Sequence, residues 1–175
     1  NIFTYRSTHG IQGFGLEDWV ENMFEENGLE FDYDVSVWIE GISGGIPQLI
    51  KTAGETTCAF LKEDKEFQKD ILMDEIYGAL ELLMMGWWNY VDETERRILK
   101  DVVSGISKNT NTRESLIKKG YLKEEQEEVS FVTPLFERFV LERMEEQKAE
   151  NENPTDHPGS SKDSVERSGQ LEVVE

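Results

Sequence analysis

Among the residues of this chain, Gly44-Gly45-Ile46-Pro47-Gln48 have the types and spacing best suited to touching a ligand. Glycine lets a backbone come close to a bound group, and a helix that starts at a proline presents the next N–H groups to anionic oxygens. The chemistry such a stretch suggests is contact with phosphate rather than bond making. The same five residues also read as a helix stop followed by a helix start.

Other constellations are weaker. Asp32-Tyr33-Asp34-Val35-Ser36 opens like a calcium loop but has Val37 at its sixth position and Ser43 at its twelfth, where glycine and glutamate are needed. Gly10-Ile11-Gln12-Gly13-Phe14-Gly15 is rich in glycine but lacks the lysine and hydroxyl of a phosphate loop. His9, His157 and Cys58 have no zinc-ligand spacing, so no metal residues are assigned. No serine or cysteine has a convincing basic partner, so no catalytic residues are assigned either.

The elements that must position these residues are mostly helices. Leu16, Trp19, Val20, Met23 and Phe24 follow the amphipathic template and stop at Asn27-Gly28. Val35, Trp38, Ile39 and Ile42 mark a second helix, and Ile46, Leu49, Ile50, Ala53, Thr57, Phe60 and Leu61 form the stripe of a third. A fourth is expected from about Glu66 to Trp88. Leu72, Ile76, Ala79, Leu83 and Trp87 lie on one side of it, and Met73, Tyr77, Leu80 and Met84 on another. Met84-Met85 and Trp87-Trp88 read as core at a junction between two subdomains. Asp92 and Glu95 have the form of a capping box for a fifth helix. Thr112 is the expected cap of a short helix ending at Gly120. A polar turn at Glu124–Glu128 and a strand at Val129–Val132 follow, and Thr133-Pro134 starts a last helix with Phe136, Phe139, Val140 and Met144 inward.

Composition sets the class. The 175 residues carry a net charge of −19, an acidic balance that opposes binding to nucleic-acid phosphates. One cysteine excludes an internal disulfide and fits a reducing cytoplasmic setting, and no apolar run is long enough to cross a bilayer. From Gln147 to Glu175 there is no aromatic residue, so that stretch is expected to form a disordered acidic tail. The chain begins at Asn1 with no leader-like segment and reads as a piece of something longer.

The segment Leu16-Glu17-Asp18-Trp19, then Trp38 to Pro47 with its Gly44-Gly45-Ile46-Pro47, resembles the part of AAA+/STAND (archaeal-type) P-loop ATPases that leaves the nucleotide-binding core. Trp88, Asp92, Glu95, Ile98 and Leu99, with Gly120-Tyr121-Leu122 and Phe131 to Phe136, are similar to the opening and the end of the winged-helix domain in such proteins. The resemblance covers roughly Leu16 to Arg143.

It implies a mainly α chain. Residues 1–15 would be a remnant of the core, 16–90 a helical lid of about four helices, 91–146 a winged-helix domain with a short β-hairpin, and 147–175 the tail. It further implies ATP or ADP with Mg in the full-length parent, none for this chain alone, and a lid in which Gly45 and Pro47 pack near the nucleotide. The chain would then be the C-terminal regulatory portion of an ATPase whose parent is the enzyme. Its partners would be the nucleotide-binding core and a protein effector. The other function consistent with the residues is a stand-alone winged-helix adaptor or transcriptional regulator without a nucleotide role. Gln48 stands where many such lids carry an arginine, and Lys51, one turn later, is the nearest cation, so phosphate sensing by this helix should be weak. Glu124, Glu125, Glu127 and Glu128 on the wing make DNA an unlikely partner.

Overall fold

The computed structural model describes residues 15–63, 66–106, 110–126 and 128–152. Within them the chain is mainly helical with one small antiparallel hairpin. The helices are α1 (Gly15–Glu26), α2 (Tyr33–Ser43), α3 (Pro47–Leu61), α4 (Lys69–Tyr90), α5 (Glu93–Val103), α6 (Asn111–Lys119) and α7 (Pro134–Glu152). Strands β1 (Leu122–Glu125) and β2 (Glu128–Phe131) lie between α6 and α7.

Local chemistry sets the boundaries. Asp32 caps α2 by accepting from the Asp34 N–H at 2.8 Å. Asp92 and Glu95 form a complete capping box at α5, the Asp92 carboxylate on the Glu95 N–H at 2.8 Å and the Glu95 carboxylate on the Asp92 N–H at 3.2 Å. Gly120, with φ +81°, ends α6 in the left-handed region that favours glycine.

Several boundaries differ from the sequence expectation. The cap of α6 is Thr110, whose hydroxyl accepts from the Arg113 N–H at 3.1 Å, rather than Thr112. Helix α4 starts at Lys69, after Glu66, and Ala79 faces solvent. Residues 122–125 are a strand where a polar turn was expected at 124–128. Only Leu122 is buried in that strand, and it pairs with buried Phe131 in the register Leu122↔Phe131, Glu125↔Glu128. Helix α7 continues to Glu152, so residues 147–152 of the expected tail are helical, because nothing between Phe136 and Glu152 breaks the backbone pattern. The remainder of the expected tail, 153–175, and the expected core remnant, 1–14, lie outside the described residues.

One buried cluster runs through every helix from Val20 of α1 to Val140 of α7. Its centre is Phe136, 1% exposed. The Phe136 ring stands edge-on to Trp87 (5.4 Å between centroids) and to Phe131 (6.0 Å), tilts over Tyr121 (5.5 Å) and stacks with Phe139 (6.1 Å). These separations lie in the favourable range for aromatic pairs. Trp87 and Trp88 thus join α4 to α7 and the hairpin, and burial of Tyr121 in this cluster pushes its phenol up to about 12.

Deleting that ring should leave a cavity bounded by side chains that cannot all collapse into it. Phe136→Ala is expected to cost about 3–5 kcal/mol in a urea unfolding experiment. A loss below about 1 kcal/mol would mean that the ring is not the centre of the core.

Candidate functional site

The α2–α3 turn has two faces. Gly44 ends α2 with φ +58° and ψ +28°, its N–H donating to the Glu40 carbonyl at 3.0 Å. Gly45 follows with φ +73°, so both residues occupy the left-handed region. Ile46 is extended, offers no side-chain cap, and leads into Pro47 at the first position of α3. Pro47 carries no N–H, so the Gln48 and Leu49 N–H groups are those that the first turn leaves without helical acceptors. Pro47 and Gln48 are exposed and Gly45 is half-buried. Lys51 sits beside Glu55 at 3.8 Å, with both side chains largely in solvent. The outward face therefore presents a helix start with an amide side chain at Gln48, and the nearest cation has a carboxylate partner.

The inward face is fastened to the beginning of α7. A Cβ on Gly44 would overlap the Val132 carbonyl oxygen and stand 2.8 Å from its carbon and 2.9 Å from Val132 Cγ1. Next to this contact, Thr133 Oγ1 donates to the Ile42 carbonyl at 2.5 Å and accepts from the Leu135 N–H at 3.2 Å. Thr133 is 2% exposed. One hydroxyl thus caps α7 and satisfies a buried carbonyl of α2, two demands that burial makes obligatory.

Sequence reasoning expected Gly45 to lie close to a bound nucleotide; within the chain, the Val132 carbonyl comes close to its neighbour Gly44. Adjacent glycines are indistinguishable in sequence, so the contact of Gly44 with Val132 could not be read there. The role of Thr133 beyond its own helix carried no sequence signal, because its partner is far away in the chain.

The helix–hairpin surface has a different character. Glu95, 3% exposed, accepts from Lys119 Nζ at 2.5 Å and from Ser115 Oγ at 3.2 Å, besides closing the α5 capping box. Arg113, 8% exposed, bridges to Glu124 of β1 at 3.1 Å. Two of the three cations of α6 are therefore engaged within the fold. On the α4–α7 side, Arg138 lies 4.3 Å over the Tyr77 ring and binds Asp74 at 2.6 Å and Glu142 at 3.0 Å. Burial first, and the Glu142 hydrogen bond second, raise the Tyr77 phenol well above its ordinary range. Burial likewise raises the Cys58 thiol, opposed by Lys62. Among the described residues, no group of three or more histidine, cysteine, aspartate or glutamate side chains is arranged to hold a metal ion, and no helix is long and apolar enough to cross a membrane.

No protein-family model, curated protein or solved structure matches the chain.

Two left-handed glycines separate conformation from contact. Gly28, with φ +69° and open space at its Cβ position, should lose about 1–2 kcal/mol as alanine through conformation alone. Gly44→Ala adds the overlap with Val132, and its loss should exceed that of Gly28→Ala by about 1–3 kcal/mol, the range for overpacking. Equal losses in urea unfolding would show that the turn and α7 are not in firm contact.

Proposed function

We propose that this chain is the regulatory portion of a P-loop ATPase. Its helical lid would close on nucleotide held by a core elsewhere in the parent, and its helix–hairpin unit would carry the nucleotide state to a protein partner. The observation that supports this reading is the fastening of the α2–α3 turn to the start of α7 through Gly44 and Thr133. A displacement of the Gly45–Pro47 helix start by phosphate oxygens would move α7 with it, and with α7 the hairpin and α5. The aromatic contact of α4 with α7 through Trp87 and Phe136 gives the same lid a second connection to that helix.

ATP or ADP with Mg would belong to the core. The share of this chain is the backbone at Gly45 and the first turn of α3, which suit phosphate oxygens by dipole and N–H direction. Gln48 adds a neutral donor, so the lid would respond to the presence of nucleotide more than to its γ-phosphate charge. A protein is a better fit to the helix–hairpin unit than DNA. Arg113 and Lys119 are spent on Glu124 and Glu95, and Glu125 and Glu128 stand exposed on the strands. One buried cysteine and a strongly acidic surface suit a cytoplasmic setting.

The test uses a polypeptide carrying both core and lid. Pro47→Ala should weaken nucleotide affinity and leave the melting temperature unchanged, since alanine suits a first helical turn. Gly45→Val should weaken affinity further and cost some stability, because φ +73° strains a β-branched residue. If both variants lower the melting temperature while nucleotide affinity stays at the wild-type value, the turn serves only to join two helices.

A further inference from the structure

The end of α1 holds the only asparagine–glycine pair in the chain, Asn27-Gly28. Such a pair can react with itself, because glycine has no Cβ to shield its backbone nitrogen from the asparagine side chain before it. Here both partners are occupied. Gly28, with φ +69°, closes α1 in a Schellman arrangement. Its N–H donates to the Glu25 carbonyl at 2.9 Å, and the Leu29 N–H donates to the Phe24 carbonyl at 3.0 Å. The Asn27 carboxamide is bonded at both ends, Nδ2 donating to the Met23 carbonyl at 2.7 Å and Oδ1 accepting from Lys62 Nζ at 2.7 Å. Lys62 stands at the end of α3, so this one amide ties the ends of two helices together. Gly28 and Lys62 are exposed and Asn27 is half-buried, so water reaches the site.

We propose that Asn27 is a site of self-modification, converted to aspartate or isoaspartate when the end of α1 opens. In that step the Gly28 nitrogen gives up its proton to solvent and attacks Cγ of Asn27. The N–Cγ bond forms, the Cγ–Nδ2 bond breaks, and Nδ2 leaves as ammonia with a proton returned by solvent. Water then opens the cyclic imide. Attack at Cγ gives aspartate, and attack at the main-chain carbonyl carbon of residue 27 gives isoaspartate. Water is the one co-reactant.

The folded end restrains each part of that step. The Glu25 carbonyl holds the proton that Gly28 must lose, and Met23 and Lys62 hold the carboxamide in place. Reaction therefore waits on local opening, and these bonds limit the open population. The products do not restore the end. Aspartate can still accept from Lys62 but has no N–H for the Met23 carbonyl, and it adds a negative charge at a helix C-terminus that already carries Glu25 and Glu26. Isoaspartate inserts a methylene into the main chain, which displaces the Leu29 N–H from the Phe24 carbonyl. The change runs one way, and it loosens α1 from α3.

Incubation of the full chain at neutral pH and physiological temperature, followed by peptide mapping with mass spectrometry, tests the site. Isoaspartate is read separately by enzymatic methylation of its free carboxylate. The expected result is loss of ammonia and gain of water at Asn27, about tenfold or more faster in the chain unfolded by guanidinium than in the folded chain. Lys62→Ala should speed the folded chain's reaction by roughly threefold to tenfold, the factor that losing one hydrogen bond adds to the open population. In the unfolded chain, where stability plays no part, Gly28→Ala should slow the reaction, because its Cβ shields the attacking nitrogen. In the modified fraction, separated by charge, the Leu29 amide should exchange faster than in the unmodified chain. The proposal is overturned by an unchanged Asn27 in the unfolded chain, by equal rates folded and unfolded, or by no acceleration in Lys62→Ala. It is equally overturned by Gly28→Ala reacting as fast as wild type, by unaltered Leu29 exchange, or by a product that joins Asn27 to Lys62.

Discussion

At the place where the α2–α3 turn meets the first turn of α7, no side chain fits between the two backbones. Gly44 abuts the Val132 carbonyl, and Thr133 spans the remaining gap with one hydroxyl. The energies involved are unequal. A single intramolecular hydrogen bond contributes about 0.5–1.5 kcal/mol net, whereas an aromatic ring such as Phe136 removes about 150–250 Å² from water at roughly 25 cal/mol per Å². The aromatic cluster therefore supplies most of the stabilisation, and the Gly44–Thr133 contact fixes the register at which α2, α3 and α7 come together. Displacing the contact would leave the Ile42 carbonyl buried without its partner, a cost of about 1–3 kcal/mol, so the register has a penalty for error.

The same division between apolar energy and polar register recurs at the other end of the molecule. Trp87, Trp88, Tyr121 and Phe139 pack around Phe136, and Glu95 then joins α5 to α6 through Lys119 and Ser115. Arg113 fastens α6 to β1. Buried Glu95 and Arg113 have partners at close range, as burial requires. Two of the three α6 cations are thus engaged within a chain of net charge −19.

Much of the fold was legible in sequence because the seven helices among the described residues carry buried positions at a period of 3.6 residues. Leu49, Ile50, Ala53 and Thr57 on α3, and Phe136, Phe139 and Val140 on α7, are buried as their spacing implied. What was not legible shares one physical cause. Strand β1 has a single buried residue, Leu122, followed by Lys123-Glu124-Glu125 in solvent, so its only apolar signal is the partner Phe131 across the hairpin. Thr110 and Thr112 are equally good caps in isolation, and the choice depends on where Leu116 must sit in the core. Gly44 and Gly45 are both left-handed, and the contact of Gly44 with Val132 appears only in the folded chain. Each of these features is decided by a contact made only in the folded chain, and for Gly44 the deciding residue, Val132, is also remote in sequence. For Gly45 and Pro47, the helix start and the two-residue turn were readable in sequence, and the structure added that Gly44 beside them is committed to α7 while Pro47 and Gln48 are exposed.

The turn and the start of α7 are expected to behave as one mechanical unit. Native-state hydrogen exchange measures this directly, because a shared unit opens at a shared free energy. The amide hydrogens to compare are those of Gly44 and Ile46, bonded to the Glu40 and Ser43 carbonyls, and those of Val132 and Phe136, bonded to the Tyr121 and Thr133 carbonyls. Exchange of all four through one common opening, with the same denaturant dependence, is the predicted result. Gly44 and Ile46 exchanging through a much cheaper local opening, while Val132 and Phe136 stay protected, would contradict it.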